Sequence, residues 1–248
     1  MRASAALPEG AIDLGGAEAD AAGGPPRYLN VRFDAERRPV RCSGCTVVAN
    51  LDPDDRPPFA AVHAALVLAG AADLWAWLPP SSYHMTVFDL LLHDRRGQGF
   101  WPEALASDAS DAEADDFAFD RLRAAGVQEG PPWRMRTLGL AANARTSGCV
   151  SLVLAPVDAA ENARIRGERA RWADALGLRG RPGHDDYVFH VTLAYLVRWP
   201  DPSRRDAAET ALASQSAALV AARERLTLKR SDACVFDDMT AFHPRFAT

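Results

Sequence analysis

Several features that mark common functional classes are missing from this 248-residue chain. It has no P-loop, no Gly-x-Ser-x-Gly nucleophile turn and no glycine fingerprint for dinucleotides, which argues against the usual nucleotide-driven enzymes, serine hydrolases and dehydrogenases. Four cysteines are too few for a disulfide framework in a chain of this length, so we expect a reducing, cytoplasmic environment. No apolar run reaches the roughly 18 residues of a membrane span, so we expect no membrane association.

An excess of positive charge is also absent, because 28 Lys and Arg residues are balanced by 33 Asp and Glu residues. Lysine occurs once, at Lys229, and the formal net charge is −5. A chain with this balance lacks the broad cationic surface that long nucleic acids require. We therefore expect any phosphate ligand to be small or held only at its end, rather than a long nucleic acid, and we expect the protein to act as a monomer.

The chain divides into an acidic leader and a patterned body. Residues 1–26 are rich in Ala, Gly, Pro and acidic residues without apolar periodicity, which predicts a disordered leader. Residues 27–248 are expected to form a single bilobal domain. Its first apolar runs, 28–33 and 45–51, predict a β-hairpin. A strand, helix, strand, helix, strand order then occurs twice, in pseudo-repeats at about 40–140 and 145–240, and the second helix of the first repeat is predicted at 117–125.

The most informative feature of the body is a phrase that occurs once in each pseudo-repeat. Tyr83-His84-Met85-Thr86-Val87 and Phe189-His190-Val191-Thr192-Leu193 both place His-x-Thr after an aromatic residue on a predicted strand. Because residues i and i+2 share a strand face, each phrase presents an imidazole beside a hydroxyl. A pair of core histidines satisfied by their neighbours is the alternative interpretation.

Two imidazoles flanked by hydroxyl donors can cleave a phosphodiester without a metal or another cofactor. One histidine acts as the base and the other as the acid, while threonine hydroxyls donate to the phosphate oxygens on which charge accumulates. We therefore expect no cofactor. The sequence leaves open which histidine is the base. The predicted catalytic residues are His84, Thr86, His190 and Thr192.

Both motifs resemble those of the two-histidine (2H) phosphoesterase superfamily, which includes RNA 2′,3′-cyclic phosphodiesterases. The wider phrases Gly44–Val48, Trp101-Pro102 and His190–Tyr195 are similar to a little-characterised bacterial and fungal branch. The resemblance covers about residues 28–242. It implies an α+β class and a duplicated, two-lobed fold with antiparallel-rich sheets, outer helices and a central groove. It also implies hydrolysis of 2′,3′-cyclic or 2′,5′-linked phosphodiesters of nucleotides or RNA ends.

Four further residues are candidates for contact with the substrate. Arg95 or Arg96 could clamp the phosphate, and Trp101 could provide a stacking face for a base. Tyr195 belongs to the second motif phrase but has the opposite strand parity from His190, so a core position is its alternative.

Three other functions remain open at this point. A binding module could hold a nucleotide in the same pocket without turnover. A metal-dependent hydrolase could use the cluster His184-Asp185-Asp186, and an RNA ligase or maturation factor could act on longer RNA. Cys42-x-x-Cys45 lacks the second ligand pair of a structural zinc site, so we expect no metal there.

Overall fold

The computed structural model describes residues 6–15, 24–97, 99–126, 131–144 and 146–246, which form ten strands and four α-helices. The strands are β1 Ile12–Asp13, β2 Gly44–Asn50, β3 Trp75–Trp77, β4 His84–Leu92, β5 Trp133–Asn143, β6 Cys149–Pro156, β7 His190–Leu196, β8 Arg225–Leu228, β9 Ser231–Phe236 and β10 His243–Pro244. The helices are α1 Pro57–Leu68, α2 Asp111–Ala124, α3 Ala159–Leu176 and α4 Pro202–Ala222.

The strands build a large, mostly antiparallel sheet. Their order is β1-β5-β6-β7-β4-β2-β9-β10, with β3 also paired to β7 and β8 also paired to β5. The short β1 runs parallel to β5. Helix α1 packs against α4, and α2 packs against α3. This arrangement confirms the predicted α+β class with an antiparallel-rich sheet.

The two motif strands meet at the centre of this sheet. Strand β4 pairs with β7 through a single residue pair, Met85 opposite Val191, and neither side chain is exposed to solvent. The apolar residues of both motifs therefore anchor the seam between the two halves of the sheet, and their polar neighbours point to the other face.

The helix after β4 begins earlier than the sequence prediction of residue 117. Ser110 accepts a hydrogen bond from the Glu113 backbone N–H, and the Glu113 carboxylate accepts one from the Ser110 backbone N–H. This capping box, with acidic residues in the first turn, starts α2 at Asp111. Residues 111–116, four of which are acidic, thus belong to α2.

The predicted hairpin of strands 28–33 and 45–51 is wrong in its first strand. Residues 28–33 form turns with isolated bridges, among them Leu29 to Phe33. Asn30 has a φ of 59°, in the left-handed region that an extended strand excludes. Phe33 is nevertheless buried, because it packs on Tyr195 with ring centroids 5.5 Å apart.

The predicted disordered leader is wrong for residues 12–14. Ile12 and Asp13 form β1 on the edge of β5, and Leu14 is 1 % exposed. The Leu14 backbone N–H donates to Glu209 Oε1 on α4 over 2.8 Å. These contacts tie part of the acidic segment to the body, and residues 1–5 and 16–23 of the predicted leader lie outside the described ranges.

Strand pairing crosses the boundary between the two predicted pseudo-repeats. Strand β5 precedes that boundary but pairs with β6 and β8, which follow it. Strand β9 belongs to the second pseudo-repeat but pairs with β2 of the first. Each half of the sheet therefore contains one long strand from the other pseudo-repeat. The bilobal domain over 27–248 stays a prediction.

Candidate active site

The structure brings the four motif residues together on one face of the sheet. The antiparallel pairing of Met85 with Val191 places Thr86 beside His190, and His84 beside Thr192. All four side chains are partly exposed, whereas the residues between them are buried. Each histidine therefore lies next to the threonine of the other motif as well as its own.

Both imidazoles are held in the same way. His84 Nδ1 lies 2.7 Å from the Ser82 carbonyl oxygen, and His190 Nδ1 lies 2.8 Å from the Val188 carbonyl oxygen. A carbonyl oxygen only accepts hydrogen bonds, so each Nδ1 carries a hydrogen and donates it. In a neutral ring this leaves the lone pair on Nε2. Both histidines thus present Nε2 as the atom available for proton transfer.

The surroundings of His84 favour its neutral form. Burial lowers its pKa from 6.5 to about 4; the hydrogen bond to Ser82 opposes this shift, and the nearby charge of His190 adds to it. The Phe242 ring lies edge-on to the imidazole with centroids 4.1 Å apart. His84 is therefore neutral near pH 7 and can accept a proton.

Two polar residues beside the motifs were missed by sequence reasoning. Asn50 of β2 pairs with His84, and Ser151 of β6 pairs with Thr192, so both share the face of the motif residues. Asn50 Nδ2 donates to Asp232 Oδ2 over 3.3 Å. No local pattern identifies these residues, because their proximity to the histidines depends on which strands are neighbours in the sheet.

Tyr187 was also missed, although it lies only three residues before His190. Its ring centroid is 6.1 Å from that of His190, and the two ring planes are tilted by 31°. Burial raises the pKa of Tyr187, so the hydroxyl stays protonated. The aromatic character of a residue so close to the motif is the sequence signal that could have identified it.

The structure does not bring Arg95, Arg96 and Trp101 to the histidines. These residues follow Leu92, at the opposite end of β4 from His84, and that strand spans about 26 Å at 3.3 Å per residue. Arg96 Nη2 donates to Asp111 Oδ1 over 2.7 Å, and its guanidinium stacks 4.5 Å from the Trp101 ring centroid. Arg95 lies over the Phe100 ring. These contacts secure the entry to α2.

Tyr195 lies in the core, as its strand parity allows. It is 9 % exposed and packs edge-on against Tyr28, with ring centroids 5.0 Å apart. Its side chain leaves β7 on the face opposite His190. Within the described part of the chain, its ring contacts are with Tyr28 and Phe33, and not with the motif histidines.

Of the cluster proposed for metal binding, His184 is buried with its ring edge-on to that of Phe88, at 6.0 Å between centroids, whereas Asp185 and Asp186 are exposed. The four cysteines are buried and free. Among the described residues, no group of three or more His, Cys, Asp or Glu side chains could hold a metal ion. Within the same ranges, no helix has the length and apolar character to cross a membrane.

Comparison with known proteins gives matches in family and fold. The family model 2H-phosphodiest, described as a domain of unknown function (DUF1868), matches residues 32–146. A conserved protein of unknown function from Agrobacterium tumefaciens str. C58, ATU0111, is 30 % identical, with a TM-score of 0.79 over 89 % of this chain and 92 % of that one. TT0787 of Thermus thermophilus is 21 % identical, with a TM-score of 0.40 over 64 % and 76 % of the two chains. No curated protein matches the chain.

Proposed function

We propose that this chain, which belongs to the two-histidine phosphoesterase superfamily, is a metal-independent phosphodiesterase. The family supports phosphodiesterase-type chemistry. The observation that supports the finer proposal is the pair of imidazoles on one sheet face, each with Nδ1 tied to a carbonyl and Nε2 available, beside Thr86 and Thr192. The proposed substrates are 2′,3′-cyclic or 2′,5′-linked phosphodiesters of nucleotides or RNA ends.

In the proposed reaction His84 acts as the base. Its neutral Nε2 takes a proton from water as the water oxygen attacks phosphorus. The bond from phosphorus to the leaving ribose oxygen breaks, and protonated His190 gives that oxygen a proton from Nε2. Thr86 and Thr192 donate hydrogen bonds to the phosphate oxygens, where negative charge increases in the transition state. The lowered pKa of His84 supports this assignment of base and acid.

The charge of the protein supports a small ligand. The formal net charge is −5, and the arginines flanking the connection from β4 to α2 are engaged with Asp111 and aromatic rings rather than with the motif face. A phosphate bound at the motifs would be held by a few hydrogen bonds at short range, without an extended cationic track. A nucleotide or the end of an RNA chain satisfies this requirement.

The test is hydrolysis of a panel of 2′,3′-cyclic nucleotides and 2′,5′-linked dinucleotides in the presence of a chelator, over a pH series. We expect turnover with a bell-shaped pH profile and a loss of about 10²-fold to 10⁴-fold in kcat for both His84→Ala and His190→Ala. His243→Ala, at an exposed site on β10, is the matched control and should keep wild-type activity.

The other outcomes distinguish the alternatives. Nucleotide binding without product on every substrate would indicate the binding module. Activity that disappears with the chelator would indicate a metal-dependent hydrolase. Full activity in both motif variants would contradict the assigned site.

A further inference from the structure

We propose that Asn50 holds the attacking water beside His84: its Oδ1 accepts one hydrogen of that water, and His84 Nε2 accepts the other. Asp232 is then a positioning residue that fixes the direction of the Asn50 amide. This inference rests on the proposed function. It assigns a catalytic role to a residue outside both His-x-Thr motifs, at the end of β2.

The pairing of β2 with β4 places Asn50 next to His84, since the two residues are Cα partners in the sheet. The adjacent pair is hydrogen-bonded, because the Leu51 backbone N–H donates to the Tyr83 carbonyl oxygen over 3.0 Å. The Asn50 backbone carbonyl is turned to the other edge of β2, where it accepts from the Lys229 N–H over 2.9 Å. Asn50 and His84 are therefore a non-hydrogen-bonded pair, in which Cα atoms are about 4.5 Å apart and side chains are closest.

A carboxylate sets the orientation of the Asn50 amide. Asn50 Nδ2 lies 3.3 Å from Asp232 Oδ2 and donates to it, because a carboxylate oxygen only accepts hydrogen bonds. Asp232 is on β9, and β2 lies between β9 and β4. Since Oδ1 is the other arm of the same planar amide, it is turned away from Asp232, toward the β4 side of β2, where His84 lies.

The Asn50 oxygen is available to a water molecule. Asn50 is half-buried, and within the described ranges no protein group donates to its Oδ1, which solvent can reach. Donation from Nδ2 to a carboxylate also polarises the amide and makes Oδ1 a stronger acceptor. His84 offers a second acceptor, Nε2, because its Nδ1 donates to the Ser82 carbonyl oxygen. Two acceptors thus lie side by side, and the two hydrogens of one water satisfy both.

The two halves of the site differ at this position. The corresponding partner of His190 is Val153 of β6, whose side chain has no hydrogen-bonding group. A leaving oxygen arrives attached to the substrate and needs no separate holder, whereas an attacking water must be bound and oriented. The amide on the His84 side alone therefore matches the assignment of His84 as the base.

The chemical step follows from this arrangement. With both hydrogens engaged, the lone pairs of the water oxygen point away from the two acceptors and toward phosphorus. As the bond from that oxygen to phosphorus forms, the hydrogen on Nε2 passes to His84, and the other stays on the oxygen beside Asn50. The bond to the leaving ribose oxygen breaks, and His190 supplies its proton.

The experiment compares hydrolysis with methanolysis of a 2′,3′-cyclic nucleotide in water–methanol mixtures with a chelator present. Methanol has one hydroxyl hydrogen, so His84 can activate it but it cannot also donate to Asn50. We expect Asn50→Leu to lower kcat for hydrolysis by about 10-fold, as for the loss of one hydrogen bond, with a smaller change in KM. Methanolysis should change by less than about twofold, so the ratio of hydrolysis to methanolysis should fall at least about fivefold.

Two further variants complete the test. Asp232→Asn keeps the size of the side chain but can accept as well as donate, so the Asn50 amide can turn either way. Its product ratio should fall part of the way to that of Asn50→Leu, and the double variant should match Asn50→Leu. Asn162→Leu, at a half-buried asparagine on α3, is the matched control and should keep wild-type kinetics and product ratio.

The outcomes separate this inference from the proposed function. An equal loss of hydrolysis and methanolysis in Asn50→Leu, an unchanged product ratio, or effects that multiply in the double variant would overturn the role of Asn50 and leave the phosphodiesterase intact. If Asn50→Leu does not fold, the product ratio of Asp232→Asn decides the question. Wild-type protein that turns over no substrate would refute the proposed function and this inference with it.

Discussion

Lowering the pH from 7 to 4.5 should destabilise the protein through His84. Burial lowers the pKa of this imidazole from 6.5 to about 4, so between these values the unfolded chain binds a proton that the folded chain does not. Stability therefore rises with pH across this window and is lost as the pH falls through it. At about 1.4 kcal/mol per pH unit, the loss by pH 4.5 is at most about 3 kcal/mol, and about 2 kcal/mol allows for solvent reaching the partly exposed ring.

The assay is urea unfolding of wild type and His84→Asn at pH 7 and pH 4.5. Asparagine can still donate to the Ser82 carbonyl oxygen but does not titrate. Carboxylates in both proteins also bind protons at low pH, so the measured quantity is the difference between the two proteins in the free energy of unfolding that each loses. Wild type should lose about 2 kcal/mol more than the variant. The exposed-site control His243→Asn should lose as much as wild type, and equal losses in wild type and His84→Asn would refute the reasoning.

Two further predictions concern parts of the fold away from the histidines. Gly44→Ala should destabilise the protein by about 1–3 kcal/mol in urea unfolding, because a Cβ there would lie 2.5 Å from the Leu91 carbonyl oxygen. Gly167→Ala, on an open helix surface, should stabilise it by about 0.5–1 kcal/mol. A Gly44→Ala variant more stable than Gly167→Ala would contradict the packing. Arg96→Ala should lower the melting temperature, because it removes the ion pair with Asp111, but should leave kcat/KM within about twofold. A large loss of kcat/KM would indicate instead that Arg96 contacts the substrate.

The local parts of the candidate site were predictable from sequence. The alternation around Met85 and Val191 is typical of strands with one buried face, and it assigns both histidines and both threonines to the opposite face. The pairing of the two strands was not contained in that alternation. Neighbouring strands in a sheet are selected by packing between residues far apart in sequence, so Asn50 and Ser151 became visible as neighbours of the motifs only in the structure.

The wrong predictions have equally specific causes. The apolar run 28–33 has strand composition, but Asn30 adopts a left-handed conformation and the segment turns, with Phe33 packed on the core. Leu14 lies in a stretch whose composition is that of a disordered leader, yet a single buried side chain and a strand edge hold it in place. Average composition does not report contacts of this kind, which depend on one residue and its partner.

Because β5 and β9 each pair with strands of the other pseudo-repeat, the chain cannot be cut into two fragments that fold independently. A cut between β5 and β6 would leave the first fragment with β5 separated from both of its long-range partners, and the second with β9 separated from β2. Each fragment would present unpaired strand edges, which favour aggregation. The two fragments would have to be produced together to restore the sheet, and the strand that carries each histidine would depend on the other fragment for its surroundings. The two strands that carry His84 and His190 are thus expected to fold and unfold together.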